Sequence, residues 1–216
     1  MDHHPVLYHV AEDGAWPSIQ EHGLLSTRAL TDLFDVKEPI RKKILHEVRK
    51  SSVIIHHEKH GSVVIRDQRP LKYLDQVLLP GTAPEDFLRI LNDRVFFWVS
   101  SKRVDTLMKA ARNRGKAVQT VLMVSTSDLL ARYGSVAELT PYNTGSTFVK
   151  SAPRRGVETF TPVAAYPYES WQKKRGPSGE AAVELTVPHG VCRVRDMALC
   201  VERWEHGVPT AVLHKR

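Results

Sequence analysis

Cysteine is scarce in this sequence of 216 residues, which contains only Cys192 and Cys200. Two cysteines exclude a disulfide-rich scaffold and cannot form a zinc ribbon by themselves. Long apolar segments are missing as well, since no run approaches the roughly 20 residues that span a bilayer. The first ten residues lack the basic leader and apolar stretch of a signal peptide. We therefore expect a cytoplasmic protein with no membrane partner.

Several widespread phosphate-binding and catalytic motifs are also absent. The chain has no glycine-rich phosphate loop ending in Lys-Ser/Thr, no dinucleotide-binding glycine fingerprint and no nucleophile elbow. Basic residues, by contrast, are in excess: 31 Lys and Arg against 24 Asp and Glu give a net charge of +7. This charge favours an anionic partner, such as nucleic acid or a phosphorylated ligand, over a neutral one.

Helical and extended patterns alternate in mixed order along the chain, with helices early and strands late. Ser26 or Thr27 is suited to cap a helix through Leu33, and Pro84 to Asn92 predicts a helix with an acidic first turn. This order favours an α+β fold with a strongly twisted, largely antiparallel sheet. At this length we expect a single domain spanning residues 1–216.

Two segments depart from this simple alternation. Glu38 to Lys50 has the pattern of a basic amphipathic helix, and two short apolar runs, Val53–Ile55 and Val63–Ile65, predict a hairpin. We therefore expect a helix–hairpin elaboration around residues 36–70. Residues 143–156 have no apolar periodicity and predict a long loop, a feature that is often functional inside a compact domain.

Polar residues within or directly after apolar strands are the first candidates for binding groups. His9 lies inside the strand-like run Val6–Val10, where an imidazole needs a partner. Arg66-Asp67-Gln68 follows an apolar strand, a position that holds side chains rigidly and open to a ligand, although a capped turn is the alternative. His56, His57 and His60 form a dense patch between strand and turn, so we predict an exposed hairpin tip and no metal site.

Two glutamates compete for the role of a catalytic carboxylate. Glu184 lies in the apolar run Ala182–Val187, where an acid is costly unless it faces a cleft or has a partner. Because strand neighbours alternate in direction, Val183 and Leu185 fit a core face while Glu184 faces the other way. A plain outward glutamate is the alternative. Glu158 follows two arginines and precedes an extended run, so a salt-bridged loop acid is the alternative for that residue.

Three segments carry a resemblance to a known family: Leu7–Val10 with the helix and Gly-Leu turn that follow it, the aromatic strand Val95–Ser101, and Ala182–Val187. In this order they resemble ADP-ribosyltransferase-type domains, above all the DarT-like DNA ADP-ribosylating toxins and the RNA 2′-phosphotransferases of the same fold. The whole string also resembles a bacterial family of uncharacterised domains. The resemblance implies a twisted, mostly antiparallel split sheet with peripheral helices.

The resemblance also implies roles for individual residues. His9 is expected to hold the adenosine ribose of NAD, Phe97 and Trp98 to wall the nicotinamide pocket, and Glu184 to stabilise the ribosyl cation, with Glu158 as its rival. The arginine near the substrate is expected to be Arg66, with Arg154 and Arg28 as alternatives. Further NAD-binding candidates are Ser26, Thr27 and Gln68. We expect His9, Phe97 or Trp98, and Glu184 to meet in one cleft.

Basic side chains with an interleaved aromatic are typical of single-strand binding, since cations contact phosphates and rings stack on bases. Residues of this kind are Arg154, Arg155, Trp171, Lys173, Lys174 and Arg175. A core position for Trp171, with the lysines solvated, is the alternative. We therefore predict a mono-ADP-ribosyltransferase-like enzyme that uses NAD as substrate, needs no metal and modifies nucleic acid, with DNA favoured. The alternatives are a nucleic-acid N-glycosylase that needs no NAD, and a binding module without chemistry.

Overall fold

The computed structural model describes residues 3–113 and 117–216. Its helices are α1 (Trp16–His22), α2 (Thr27–Leu33), α3 (Ile40–His46), α4 (Pro84–Asn92), α5 (Ser101–Asn113), α6 (Thr126–Tyr133) and α7 (Tyr168–Arg175). Its strands are β1 (Val6–Glu12), β2 (Leu24–Leu25), β3 (Val53–His57), β4 (Gly61–Ile65), β5 (Arg94–Trp98), β6 (Val118–Ser125), β7 (Glu138–Thr140), β8 (Thr161–Pro162), β9 (Glu184–Pro188), β10 (Gly190–Val191), β11 (Ala198–Glu205) and β12 (Val208–Lys215).

One open sheet of eight strands organises the fold, in the order β12-β11-β6-β1-β5-β9-β7-β8. Every neighbouring pair in it is antiparallel. The fold is thus of the mixed α+β class with a large antiparallel sheet, as the sequence predicts. Pairing is uneven at the centre: β1 pairs with β6 along its whole length, but with β5 only at Tyr8 opposite Trp98. The two central strands, β1 and β5, therefore diverge from Trp98 toward Arg94.

The alternation of side chains in β5 sets which groups face the main core. Val95 and Phe97 are buried there together with Leu185 and Val187 of β9. Because neighbours point to opposite faces, Phe96 and Trp98 lie on the other face, opposite Thr186 and Glu184 in the ladder. The main core also buries Trp16 and Ile19 of α1. On that other face, Phe96 and Trp98 are partly buried against two smaller apolar clusters.

Local capping explains where several helices begin. The hydroxyl of Ser26 accepts a 3.1 Å hydrogen bond from the amide of Ala29, which caps α2. Pro84 occupies the first turn of α4, followed by the acidic pair Glu85 and Asp86, and the helix buries Phe87, Leu88 and Leu91. Both helices were expected from the sequence, and the bounds of α4 agree with the prediction.

The segment between α2 and α4 forms the expected helix and hairpin. Strands β3 and β4 pair from Val53–Ile65 to His57–Gly61. They pack with α2 and α3 around a small apolar cluster that includes Phe34, Leu45 and Ile55. Helix α3 is shorter than the predicted Glu38–Lys50, because the backbone turns extended at Glu47. Within the described residues, no helix is long and apolar enough to cross a membrane.

Candidate active site

The side chain of His9 lies beside the gap that opens between β1 and β5. Its Nδ1–H donates a 2.9 Å hydrogen bond to the carbonyl oxygen of Phe96, which can only accept. Burial lowers the pKa of His9 to about 4, so the ring is neutral at pH 7. With the proton on Nδ1, the Nε2 atom is a hydrogen-bond acceptor. A ligand hydroxyl is the complementary group.

Two adjoining cavities line this part of the sheet. The first has a volume of about 370 Å³ and is lined by residues that include His9, Thr27 and Arg66. The second, of about 270 Å³, is lined by residues that include Gln68, Trp98 and Glu184. The side chains that line both are Thr27, Arg49, Arg94 and Phe96. We call the two together the central cleft; His9 lines the first cavity, and Trp98 and Glu184 line the second.

Glu184 is a buried carboxyl group at the start of β9, only 3% exposed. Its Oε2 accepts hydrogen bonds from the Thr140 hydroxyl at 3.2 Å and from the amide and hydroxyl of Thr144 at 3.0 and 2.8 Å. Burial raises the pKa of Glu184 to about 7, against the opposing effect of these hydrogen bonds and of the Arg155 charge. Oε1 receives no hydrogen bond from residues 3–113 or 117–216 and is left for a ligand.

The predicted loop at residues 143–156 is held against Glu184 by the side chain of Arg155. This guanidinium is 1% exposed and donates to the carbonyl oxygens of Asn143, Ser146 and Pro153. It also stacks on the Tyr142 ring at 4.3 Å. The prediction that Arg155 binds nucleic acid is therefore wrong, because the side chain is buried and its two terminal nitrogens donate to carbonyl oxygens inside the protein. Its role is to shape the loop that supplies Thr144.

Two arginines of the central cleft were not predicted from the sequence. Arg94 pairs with the Glu138 carboxylate through hydrogen bonds of 2.7 and 3.1 Å, which balances its charge. Arg49 donates instead to neutral acceptors on Ile44, Arg66 and Asn92. Desolvation lowers the pKa of Arg49 only to about 10, so the group is charged at pH 7. Arg49, which is half-buried and whose charge the nearby Asp67 carboxylate favours, therefore offers a positive charge to an anionic ligand such as a phosphate.

Arg66 and Gln68 lie in the cleft, where the sequence places polar groups after a strand. Arg66 donates to the Glu12 carboxylate at 3.2 Å, to the Val10 carbonyl at 3.2 Å and to the Gln119 side chain. Gln68 accepts from the Arg49 amide at 3.3 Å. Thr27 lines both cavities. These three side chains are positioned to contact a ligand, with the charge of Arg66 already paired.

Three other predicted site residues lie elsewhere. Phe97 is fully buried in the main core, so it cannot stack on a ligand; Phe96 and Trp98 are the rings that line the cleft. Ser26 is 1% exposed and its hydroxyl is used as a helix cap. Glu158 lies exposed in the turn Val157–Thr159 and lines neither cavity. Of the two rival glutamates, the structure places Glu184 in the cleft.

The remaining basic candidates form a surface near the same loop. The Nζ of Lys174 lies 4.7 Å from the centre of the Trp171 ring and Arg175 lies 5.8 Å from it. Arg175 donates to the Pro141 carbonyl, while the neighbouring Tyr142 hydroxyl donates to the carbonyl of Arg154. Arg154, Lys173, Lys174 and Arg175 are exposed. We call these four residues together with Trp171 the basic surface. Arg175 and Arg154 in it are hydrogen-bonded to the neighbouring residues Pro141 and Tyr142, respectively.

The fold and cleft together define an α+β protein with an open antiparallel sheet, a neutral histidine on a central strand and a buried glutamate on a strand beyond it. A family model matches residues 5–198, and the chain belongs to that family, DUF7002, a family of unknown function. The matched region contains every cleft residue named above. A comparison with curated proteins finds no match.

Proposed function

We propose that this protein is a mono-ADP-ribosyltransferase-like enzyme, which cleaves the nicotinamide–ribose bond of NAD and transfers ADP-ribose to nucleic acid. One observation carries the proposal: a neutral histidine on β1 lines the first cavity, a buried glutamate on β9 lines the second, and both cavities share the side chains of Arg49, Arg94 and Phe96. Beside the first cavity the central strands β1 and β5 diverge. That divergence supports the split sheet which the resemblance to ADP-ribosyltransferases implies. We accordingly propose the same fold family.

The donor groups of the cleft suit the parts of NAD. Nε2 of His9 accepts from a ribose hydroxyl, and the charge of Arg49 lies between the two cavities, where a pyrophosphate bridge needs a cation. Phe96 and Trp98 supply aromatic surface for nicotinamide. Glu184 supplies a carboxylate oxygen for the ribose next to it. The cavity volumes fall in or near the range of ligand sites, about 300–1,000 Å³.

The proposed chemistry is a displacement at the anomeric carbon of the ribose. The bond from this carbon to the nicotinamide nitrogen breaks, and nicotinamide leaves with the electron pair. Positive charge grows on the ribose, and the Glu184 carboxylate stabilises it. A nucleophile on the acceptor forms the new bond and loses its proton to solvent water. Because burial raises the pKa of Glu184 to about 7, the rate should rise with pH through that region as the carboxylate forms.

A nucleic-acid acceptor is supported by the charges and rings around the cleft. The basic surface presents Trp171 with two cations against its ring. A second group of this kind lies beside the loop: the Nζ atoms of Lys72 and Lys150 approach the Tyr73 ring, and Lys72 also approaches the exposed Phe148. Cations beside stacking rings are the usual means of holding a single strand. We favour DNA as the acceptor.

The deciding experiment follows a label on the adenylate part of NAD. The protein is incubated with labelled NAD and, separately, single-stranded DNA, duplex DNA, RNA or no acceptor. We expect label transfer to nucleic acid by the wild type and by Glu158→Gln, whose glutamate is exposed outside the cleft, but not by Glu184→Gln. Abasic sites formed without NAD would establish the glycosylase alternative instead. Nucleic-acid binding with neither reaction would leave only a binding module.

A further inference from the structure

A cluster of histidine and carboxylate side chains lies at the end of α1, outside the chemistry proposed above. Glu21 and His22 are the last residues of α1, and His60 belongs to the turn between β3 and β4. Each offers one ligand atom, and these atoms lie within 4.8 Å of one another. The His22 and His60 rings meet edge to face with centroids 4.8 Å apart. Two elements distant in sequence thus bring three metal-binding groups together.

The environment of His60 leaves one of its nitrogens without a partner. Its Nδ1 is buried and has no hydrogen bond within residues 3–113 and 117–216. The ring also stacks on His57, with centroids 4.7 Å apart and planes 27° apart. Nε2 of His22 lies 3.7 Å from Oε1 of Glu21. Packing imidazoles this closely strips them of water, a cost that a bound cation offsets by ligating the nitrogens.

We propose that Glu21, His22 and His60 bind a zinc ion. Imidazole nitrogen and carboxylate oxygen are ligands that zinc takes in proteins, at about 2.0–2.2 Å from the ion. The three ligand atoms lie within 4.8 Å of one another, with Glu21 exposed and both imidazoles half-buried, so small side-chain rotations bring them around one ion. Three protein ligands leave a fourth position for water. Magnesium fits poorly, since it prefers oxygen ligands and keeps its own waters.

The ion would fasten α1 to the hairpin. Both elements line the first cavity of the central cleft, which includes His22 and Ser62–Asp67. A cross-link at this point fixes the distance between two walls of the cavity without touching His9 or Glu184. The ion would therefore act as a cross-link between α1 and the hairpin, and the assignment stands whether or not the protein uses NAD.

Zinc binding to the full chain, stripped of metal with a chelator, tests the assignment by calorimetry. We expect one zinc per chain, a higher thermal midpoint with zinc, and no response to magnesium. His60→Ala and His22→Gln should each weaken zinc binding by about tenfold or more, because removing a ligand costs at least as much as removing a group that orients one. Two variants are used so that the test still holds if one of them does not fold.

His56→Ala is the matched control, since His56 lies on the same hairpin but is exposed and bonded to the Ser62 hydroxyl. It should bind zinc as the wild type does. Absence of zinc binding by the wild type, or equal affinity in wild type, His60→Ala and His22→Gln, would overturn the assignment. Equal zinc affinity in these three proteins would mean that the ion binds to residues other than His22 and His60.

Discussion

Replacing Glu184 by glutamine removes an ionisable group from the central cleft while keeping its size. The pKa of Glu184 is raised from 4.5 to about 7 by burial, so the folded state holds its proton more tightly than the unfolded state. The stabilisation that this gives is complete below pH 4.5 and is lost as the pH rises through 7. At about 1.4 kcal/mol for each pH unit, the total loss is about 3 kcal/mol.

The Glu184→Gln variant has no such titration, and its amide oxygen accepts the hydrogen bonds from Thr140 and Thr144 that Oε2 accepts in the wild type. Urea denaturation of both proteins at pH 5 and pH 8 measures the effect. Relative to the variant, the wild type should lose about 2–3 kcal/mol of unfolding free energy between these two pH values. NAD turnover by the variant should fall by about 10²–10³-fold at the same time, as for removal of one electrostatic stabiliser.

The two measurements refute different parts of the reasoning. A free-energy difference that does not change with pH would show that the carboxyl group is solvated rather than buried. Full turnover with a normal pH-dependent difference would show that the group is buried but takes no part in the chemistry. Glu158→Gln should match the wild type in both measurements, since Glu158 is exposed and lines neither cavity.

Three further changes test other contacts. His9→Ala should weaken NAD binding about tenfold by calorimetry, the loss of about one net hydrogen bond; unchanged affinity would place the ribose elsewhere. Arg155→Met should lower the unfolding free energy in urea by about 2–4 kcal/mol, because carbonyls at Asn143 and Ser146 lose their donor, and an effect under about 1 kcal/mol would mean that the loop holds itself. Lys173→Ala with Lys174→Ala should reduce the slope of log affinity for single-stranded DNA against log salt by about 1.4; an unchanged slope would remove the basic surface from the interface.

Features set by neighbours in sequence could be predicted. The capping hydroxyl of Ser26, the proline and acids that begin α4, and the two runs of the hairpin are local patterns. The direction of Glu184 followed from the alternation of Ala182–Val187 alone. Each of these rests on residues a few positions apart, which the chain itself holds together.

Features set by distant residues could not. Arg155 is buried because loop carbonyls from residues 143 and 146 fold back onto it, and nothing near residue 155 signals this. Arg49 takes its acceptors from residues 44, 66 and 92. The error over Phe97 was avoidable, since Val95 and Val99 share its phase in the strand and mark that face as core. Glu21 and His22 meet His60 only through the tertiary packing of α1 on the hairpin.

The single pairing of Tyr8 with Trp98 also divides the sheet into two mechanical blocks. Strands β12, β11, β6 and β1 form one block and β5, β9, β7 and β8 form the other, and the strands within each block are joined by longer ladders. Separating the blocks breaks few backbone hydrogen bonds, so amides facing the gap exchange with solvent at a lower free energy than those inside β6. A molecule bound across the gap would hold the two blocks together and slow the hydrogen exchange of the amides that face it.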